Sequence, residues 1–386
     1  MKRIKLWLLV FLAVAFTAST AFAKADKTAY PVVFAHGMLG FDELVGLNYF
    51  GNDYGVFVGD PCDEQLEVSC NREIDRGQKA FATAVNPLQA SEDRGLALAD
   101  QVESYMATVG ASNVNLVGHS QGGIDARKAA KVLYERKGRQ VVKVLVSISS
   151  PHRGSPLAKS ILDQGDAGIN KLLNFLADNF LTPIMYGDKG DIVASMKSLM
   201  YDDYDANDGE VTGLKAFNAK YGINNKYVGH YASIITVAGE DLNPILNAFG
   251  SLAGIGIDGD GWCGPENEDC DHDGAAGAGD GDADDTDDDG LVGVNSQQMG
   301  YRLKYSESRY QGGAFAVDGS TGYVADINRP NQTQSTSHSS VVSADHLDII
   351  GFGSIPVVMP DDVDEFEFYG ALIDYIAHNE CAPRTR

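Results

Sequence analysis

Residues 114–123 read VNLVGHSQGG. An apolar run leads into Ser120, which Gly118 and Gly122 flank. A G-x-S-x-G pattern between a strand and a helix is typical of a sharp turn that lifts the serine out of a sheet, and the glycines are needed because side chains there would collide with neighbouring backbone. The stretch therefore predicts a strand, a tight turn and a helix from about residue 122, with Ser120 as the candidate nucleophile.

Apolar, β-branched runs of strand length recur along the chain and alternate with helical patterns. Continuous apolar strands that alternate with helices are typical of a parallel sheet covered on both faces. We therefore expect an α/β fold with a mostly parallel central sheet flanked by helices. The predicted strands cover 31–35, 113–117, 141–148 and 233–237, and the predicted helices cover 92–108, 122–136 and 364–379.

A serine hydroxyl is a weak nucleophile until a base takes its proton. In enzymes built around this kind of turn, the acid and then the histidine follow the serine along the chain. The late histidines are His338, His346 and His378. His346 precedes an apolar stretch and is favoured by position, whereas His378 fits an exposed residue on the last helix.

The acid is expected at the C-terminal end of a late strand, and DGLVGV at 289–294 is the apolar element that follows the acidic tract. Asp289 is its first residue. Asp285, Asp287 and Asp288 compete with it on chemistry alone, and Glu240-Asp241, after the strand at 233–237, is a fallback.

The stretch FAHGMLG at 34–40 follows the first predicted strand. Acyl transfer passes through an oxyanion that two backbone N–H groups can hold, one after the nucleophile and one in the loop after an early strand. Gln121 and Met38 are therefore the candidate oxyanion donors.

Together these stretches resemble the secreted bacterial true lipases of family I, subfamilies I.1 and I.2, which are foldase-dependent triacylglycerol lipases of the α/β-hydrolase superfamily. The resemblance implies a triad of Ser120, Asp289 and His346, oxyanion donors at Met38 and Gln121, and a structural calcium with Asp348 as one ligand. It also implies a lipid or ester substrate at an oil–water interface and a lipase-specific foldase as a partner. The matching blocks are residues 30–42, 114–123, 150–155, 217–221, 289–293 and 346–348.

The chain departs from this pattern between the acid and the histidine. About twenty residues separate the two in the family, whereas Asp289 and His346 are 346 − 289 = 57 apart. The polar material at about 305–342 is interpreted as an insertion or an irregular hairpin. Because an insertion there would affect substrate access, an aliphatic polyester depolymerase or a short-chain carboxylesterase is an alternative function.

The apolar helical spacing in residues 155–200 predicts a lid, with an ordinary core-facing helix as the alternative.

The net charge of −24 is concentrated in an acidic tract, since residues 258–289 hold 14 Asp or Glu and no Lys or Arg. Such a surface argues against nucleic acid as a partner. Residues 254–288 are interpreted as a loop. Its D-x-D-x-D-G spacing suits a second calcium ion. The alternative to an enzyme is therefore a secreted, non-catalytic calcium-binding protein. The candidate ligands are Asp269, Asp271, Asp273 and Asp280.

Residues 1–23 have a basic start, an apolar run and an Ala-x-Ala end, which predicts a secretory signal peptide and export through the periplasm to the outside of the cell. Residues 24–386 are then expected to form one α/β-hydrolase domain. Five cysteines fit an exported protein. Proximity favours pairing Cys62 with Cys70 and Cys263 with Cys270, although four cysteines allow three connectivities, and Cys381 is left over.

Overall fold

The computed structural model describes residues 26–38, 40, 43–44, 47–48, 77–179, 189–201, 203–204, 211–238, 242–253, 288–308, 312–328, 340–351 and 364–380. Among these residues, no helix is both long and apolar enough to cross a membrane.

The described residues form a central sheet of nine strands, whose main path runs β11-β10-β9-β6-β5-β1-β4. Every neighbouring pair from β4 to β10 is parallel, and only the pairings of β10 with β11 and β12 are antiparallel. The strands, with the two short hairpins β2-β3 and β7-β8, are β1 (Val32–Ala35), β2 (Glu43–Leu44), β3 (Leu47–Asn48), β4 (Ala80–Ala82), β5 (Val114–His119), β6 (Val142–Ile148), β7 (Asp203–Tyr204), β8 (Val211–Thr212), β9 (Val228–Val237), β10 (Gly300–Ser308), β11 (Gly312–Val317), β12 (Tyr323–Val324) and β13 (Val341–Ser343).

Helices cover both faces of this sheet. The helices are α1 (Ser91–Val109), α2 (Gln121–Lys137), α3 (Pro156–Asp163), α4 (Asp166–Asn179), α5 (Lys189–Lys197), α6 (Gly213–Lys220), α7 (Pro244–Ala253) and α8 (Glu365–Asn379). One core cluster packs Leu98 and Val102 of α1 and Leu133 of α2 against the sheet, and the other packs Phe368 and Leu372 of α8 against the opposite face.

The predicted α/β fold with a mostly parallel sheet is confirmed. All four predicted strands and all three predicted helices are present, although β9 begins five residues earlier than expected. The central strands β1 and β5 are buried at every position, as expected for strands covered on both faces. Because these strands run parallel, the C-terminal ends of β1, β5, β6 and β9 lie at the same end of the sheet.

The described part of the 305–342 insertion belongs largely to the sheet. β10 and β11 form an antiparallel hairpin at one sheet edge, which agrees with the hairpin alternative. β13 returns to pair in parallel with the end of β9, joining Val342 to Thr236 and Ser343 to Val237. This return carries the chain to His346, at the end of the sheet where β1, β5, β6 and β9 also finish.

The acid is expected at the C-terminal end of a late strand, but the apolar element at 289–294 does not form a strand. Asp288 and Gly293 form an isolated bridge, and a 3-10 turn follows at Val294–Ser296. Gly290 has a φ of 91°, a conformation that side chains disfavour, so the chain turns back at once instead of extending.

Candidate active site

Ser120 lies at the junction of β5 and α2 in a strained backbone conformation. Its φ of 54° and ψ of −131° are unusual for a residue with a side chain. The Ser120 N–H donates to the carbonyl of Ile148 at the end of β6 (2.9 Å), which holds the turn from the neighbouring strand. Such strain persists only where the surroundings impose it, and it concentrates at functional sites.

The two glycines beside Ser120 are required by close packing. A Cβ added at Gly118 would lie 2.5 Å from the carbonyl carbon of Gly122, and one added at Gly122 would lie 2.1 Å from the carbonyl oxygen of Ala35. Gly122 therefore brings the start of α2 against the end of β1, where the loop containing Met38 begins. This contact places the two candidate oxyanion segments side by side.

His346 and Asp289 form a buried hydrogen-bonded pair. The Nδ1 atom of His346 lies 2.8 Å from Oδ2 of Asp289, and the N–H of His346 donates to the carbonyl of Asp289 (2.8 Å). Both side chains are almost fully buried. When Nδ1–H donates to the carboxylate, the neutral ring keeps its lone pair on Nε2, which is the atom that a base needs.

Asp289 is also held by hydrogen bonds from its own turn and from β9. Its Oδ1 accepts from the N–H groups of Leu291 (3.1 Å) and Val292 (2.9 Å), and its Oδ2 accepts from the Thr236 hydroxyl (2.9 Å). The N–H of Asp289 donates to the carbonyl of Val292 (3.3 Å). The tight turn at Gly290 therefore wraps donors around the carboxylate. Thr236, near the end of β9, carries no sequence signal that would have identified it.

Two of the other candidate acids and bases, Asp288 and His378, are among the described residues. Asp288 caps the same turn, with Oδ1 accepting from the N–H of Gly290 (2.5 Å). His378 is exposed on α8, and its Nδ1 contacts the carbonyl of Asp374. His338, Asp285, Asp287 and Glu240-Asp241 lie outside the described residues.

The His346 ring lies beside the nucleophile turn. Its centroid is 4.7 Å from that of His119, the residue immediately before Ser120. His119 is fully buried, and burial, followed by the proximity of His346, lowers its pKa well below the usual range. The His346–Asp289 pair thus lies beside the residue that precedes Ser120.

The loop after β1 is organised by His36, which is buried. Its Nε2 accepts from the N–H of Val85 (3.2 Å), so its Nδ1–H faces the carbonyl of Gly37 (2.9 Å). Burial, and then the charge of Arg94, lower the pKa of His36 to about 3. A neutral histidine therefore fastens this loop from within, ahead of Met38.

Arg94, which is not among the residues predicted from sequence, clamps the same loop. Its guanidinium donates to the carbonyls of His36 (2.7 Å), Gly37 (3.1 Å) and Asn86 (2.7 Å), and forms a fully buried ion pair with Asp125 of α2 (2.7 Å). Burial raises the pKa of Asp125 more than the charge of Arg94 lowers it. One signal could have found Arg94: it shares the helical spacing of Leu98 and Val102, so a charge occupies the buried face of α1.

Gln121 is buried at the first position of α2, and the amide nitrogen of its side chain is engaged. This Nε2 atom lies 3.1 Å from both the Gln89 carbonyl and the Ser91 hydroxyl, and 3.3 Å from the Ser198 hydroxyl. The backbone N–H of Gln121, which is the candidate oxyanion donor, lies at the positive end of the α2 dipole.

An apolar cluster lies against these elements. Met38, Ile124 of α2 and Leu291 of the acid loop contact it, and most of it comes from the helical segment, notably Leu157, Ile161, Leu172, Phe175, Ile192, Met196 and Leu199. The candidate site is therefore flanked by a buried apolar cluster.

The predicted metal and disulfide sites fall mostly outside the described residues, which exclude Asp269, Asp271, Asp273, Asp280 and all five cysteines. Asp348 is described, two residues after His346, and its Oδ2 accepts from the N–H of Asp345 (3.4 Å). Asp345 is buried, and burial raises its pKa.

These two carboxylates are hard oxygen donors of the kind calcium accepts. Within the described part of the chain, however, no third acidic or histidine ligand gathers around Asp348. The one group of three such ligands there is Asp26, Asp374 and His378, beside α8.

The chain is similar to known proteins over part of its length. The family model described as palmitoyl protein thioesterase matches residues 31–205, which is less than half of the chain. A triacylglycerol lipase of Vibrio cholerae is 36% identical over 132 residues, covering 34% of this chain and 36% of that protein. One of Pseudomonas fragi is 32% identical over 132 residues, covering 34% and 38%.

Among solved structures, a metagenomic carboxyl esterase is 13% identical with a TM-score of 0.49, covering 92% of this chain and 77% of that one. Lipase 1 from Pelosinus fermentans is 17% identical with a TM-score of 0.46, covering 91% and 99%. The chain spans little more than a third of the length of the curated relatives it matches. The mostly parallel sheet flanked by helices is an α/β-hydrolase fold, and the chain is similar over about a third of its length to bacterial triacylglycerol lipases.

Proposed function

We propose that this protein is a serine ester hydrolase that cleaves carboxylic esters, most simply a triacylglycerol lipase. The observation that carries the proposal is that the buried His346–Asp289 pair lies next to His119, the residue before the strained Ser120. A serine is activated by an adjacent base, and the base needs an orienting group. The similarity to bacterial lipases supports the same reaction.

In the proposed reaction, the Ser120 hydroxyl attacks the ester carbonyl while His346 Nε2 takes its proton. His346 then gives that proton to the leaving alcohol, and the acyl group stays on Ser120. Water repeats the sequence, so that its hydroxyl joins the acyl group and its proton returns to Ser120. Asp289 keeps the imidazole oriented and stabilises its charged form.

The backbone N–H groups of Met38 and Gln121 hold the oxyanion in the proposed reaction. The Arg94 clamp and the buried His36 support Met38, since both fasten the two residues that precede it. The packing of Gly122 against Ala35 supports the close approach of the two donors.

The apolar cluster supports a lipid-like acyl chain as substrate. Because it contacts Met38 on one side and Leu291 on the other, an acyl chain bound to Ser120 would lie along it. The helical segment 155–200 contributes most of this surface, so we retain the proposal that it covers the site as a lid.

Three further proposals follow, two from the resemblance to foldase-dependent lipases and one from the signal-peptide pattern of residues 1–23. A structural calcium would be held in part by Asp348, and its chemistry would be to stabilise the loop that carries His346. Residues 1–23 would direct export, so that the enzyme acts outside the cell. A foldase would assist folding before release.

The family match gives a second candidate activity, the hydrolysis of acyl thioesters. The same residues serve, because a thiolate leaves more readily than an alkoxide and needs less help from His346 as an acid. Short-chain esters and aliphatic polyesters are further alternatives with the same triad.

A substrate panel tests these options. The panel holds p-nitrophenyl esters from acetate to palmitate, emulsified triolein, a polycaprolactone film and palmitoyl-coenzyme A, each given to the wild type and to Ser120→Ala. We expect Ser120-dependent turnover of long-chain esters and triolein above that of the thioester. A thioester rate above all esters would favour the second candidate, and no Ser120-dependent turnover of any substrate would refute the proposal.

A further inference from the structure

One side chain of the 305–342 insertion, that of Asn328, reaches the elements beneath the candidate site. Its Oδ1 accepts from the Tyr201 hydroxyl (3.3 Å) and from Nδ2 of Asn218 (3.0 Å). Its Nδ2 donates to the carbonyl of Lys215 in α6 (2.9 Å). Because both ends of the amide are engaged, its orientation is fixed.

Tyr201 directly follows the helical segment that supplies most of the apolar cluster. The backbone here is already fastened: Ser155 N–H donates to the carbonyl of Leu199 (3.0 Å), and Lys215 N–H donates to that of Tyr201 (2.7 Å). Asn328 adds a hydrogen bond from the insertion to this junction, and that bond acts on the Tyr201 side chain. The insertion thus helps to determine where the buried Tyr201 ring lies.

Asn218 extends the contact to the nucleophile helix. Its Nδ2 also donates to the carbonyl of His152 after β6 (2.9 Å), and its Oδ1 accepts from Nη1 of Arg127 in α2 (2.8 Å). Arg127 and Asn218 are both buried. A continuous polar path therefore joins Asn328 to the helix that begins next to Ser120.

The same junction belongs to the buried apolar cluster along which the proposed function places the acyl chain. Leu199, Met200 and Tyr201 are all buried members of the apolar cluster that contacts Met38 and Leu291. A shift of the Tyr201 ring would change the packing of this cluster, and with it the room for an acyl chain along it. The hydrogen bonds from His346 and Thr236 to Asp289 do not involve Tyr201.

We propose that Asn328 is a specificity-determining positioning residue that fixes Tyr201 and thereby sets the acyl chain length the enzyme accepts. The proposal rests on the proposed ester hydrolase function. It also explains what the insertion contributes, since Asn328 anchors one end of the acyl-binding surface from outside the helical segment.

The test compares wild type, Asn328→Ala, Tyr201→Phe and the double variant on p-nitrophenyl butyrate and p-nitrophenyl palmitate. Asn225→Ala, which changes an exposed residue just before β9, is the matched control. We expect the palmitate-to-butyrate ratio of kcat/KM to change about tenfold in Asn328→Ala. The rate with butyrate and the rate of labelling by a small fluorophosphonate should stay near wild type.

Tyr201→Phe removes only one hydroxyl and should fold even if Asn328→Ala does not. It should change the ratio in the same direction, and the double variant should add little to Asn328→Ala, since both disrupt one contact. A merely structural role would lower the melting temperature and slow both esters alike, leaving the ratio unchanged, and this result would overturn the proposal. A wild type inert towards both esters would instead refute the hydrolase function on which the proposal rests.

Discussion

Nδ1 of His346 lies 2.8 Å from Oδ2 of Asp289, although 57 residues separate them in the sequence. The intervening chain leaves at the Asp289 turn, builds the hairpin β10-β11 and returns as β13 along β9. Because both ends of this excursion are fastened to the end of β9, its length does not disturb the pair. A long insertion is therefore compatible with an intact acid–histidine relationship.

Replacing Asp289 by Asn should lower kcat/KM for p-nitrophenyl butyrate by about 10³- to 10⁴-fold, because the amide favours the wrong tautomer of His346. The matched variant is Asp288→Asn, which changes the neighbouring carboxylate that caps Gly290. It should stay within about tenfold of wild type. The assignment of the acid would be wrong if the Asp288 variant were the more damaged of the two.

Replacing Arg94 by Ala should lower the free energy of unfolding by about 3–5 kcal/mol, because it leaves the buried Asp125 without its ion pair. Urea denaturation measures this loss. Arg136→Ala is the matched control, since Arg136 makes ion pairs with Asp100 and Glu103 at the surface. It should cost about 1 kcal/mol or less. Equal losses in the two variants would contradict the account of Arg94 as a buried clamp.

Acid should destabilise the fold through its buried histidines. The pKa of His36 is about 3 in the folded chain and about 6.5 when unfolded, so the unfolded state binds more protons between these values. The stability contributed by a neutral His36 is therefore complete above pH 6.5 and is lost as the pH drops towards 3. His36 alone contributes a slope of up to about 1.4 kcal/mol per pH unit.

His36→Gln should flatten that slope, because glutamine can accept from Val85 and donate to Gly37 without titrating. The control is His378→Gln. The pKa of His378 is raised by its contact with the Asp374 carbonyl, so its contribution is present at low pH and is lost as the pH rises. Removing it should not flatten the acid slope. Urea denaturation from about pH 7 to about pH 4 gives the slope of the free energy of unfolding against pH. Identical slopes for His36→Gln and wild type would refute the buried-histidine explanation.

A calcium chelator should lower the melting temperature, and added calcium, but not magnesium, should restore it. If Asp348 is a ligand, Asp348→Asn should reduce the chelator effect. The acidic loop is tested separately by Asp271→Asn with Asp273→Asn, which remove two of its proposed ligands. An identical melt with and without chelator would remove both calcium proposals.

The features that are predictable from sequence are local ones. β5, Ser120 and α2 are encoded within residues 114–137, where apolar run, glycine spacing and helix periodicity agree. The glycines in particular are required by clashes with neighbouring backbone, which leave a clear mark on the sequence. The loop after β1 has a similar glycine, since a Cβ added at Gly40 would lie 2.4 Å from Nδ1 of His36.

The features that sequence does not predict depend on contacts between distant segments. The N–H of Val85 donates to His36, 49 residues away, and the Arg94–Asp125 pair joins two helices. The turn at Asp289 resembles a strand in sequence because apolar residues follow the aspartate. The donors wrapped around the carboxylate, including Thr236, explain why it is a turn.

The most direct measurement of the central claim is labelling by a fluorophosphonate, with the modified residue located by mass spectrometry after reaction of the folded full-length chain. We predict a single adduct on Ser120, formed in parallel with loss of p-nitrophenyl butyrate hydrolysis. No adduct should form in Ser120→Ala or in heat-unfolded wild type. Hydrolysis by Ser120→Ala at the wild-type rate, or an adduct on another serine with Ser120 unmodified, would contradict the account.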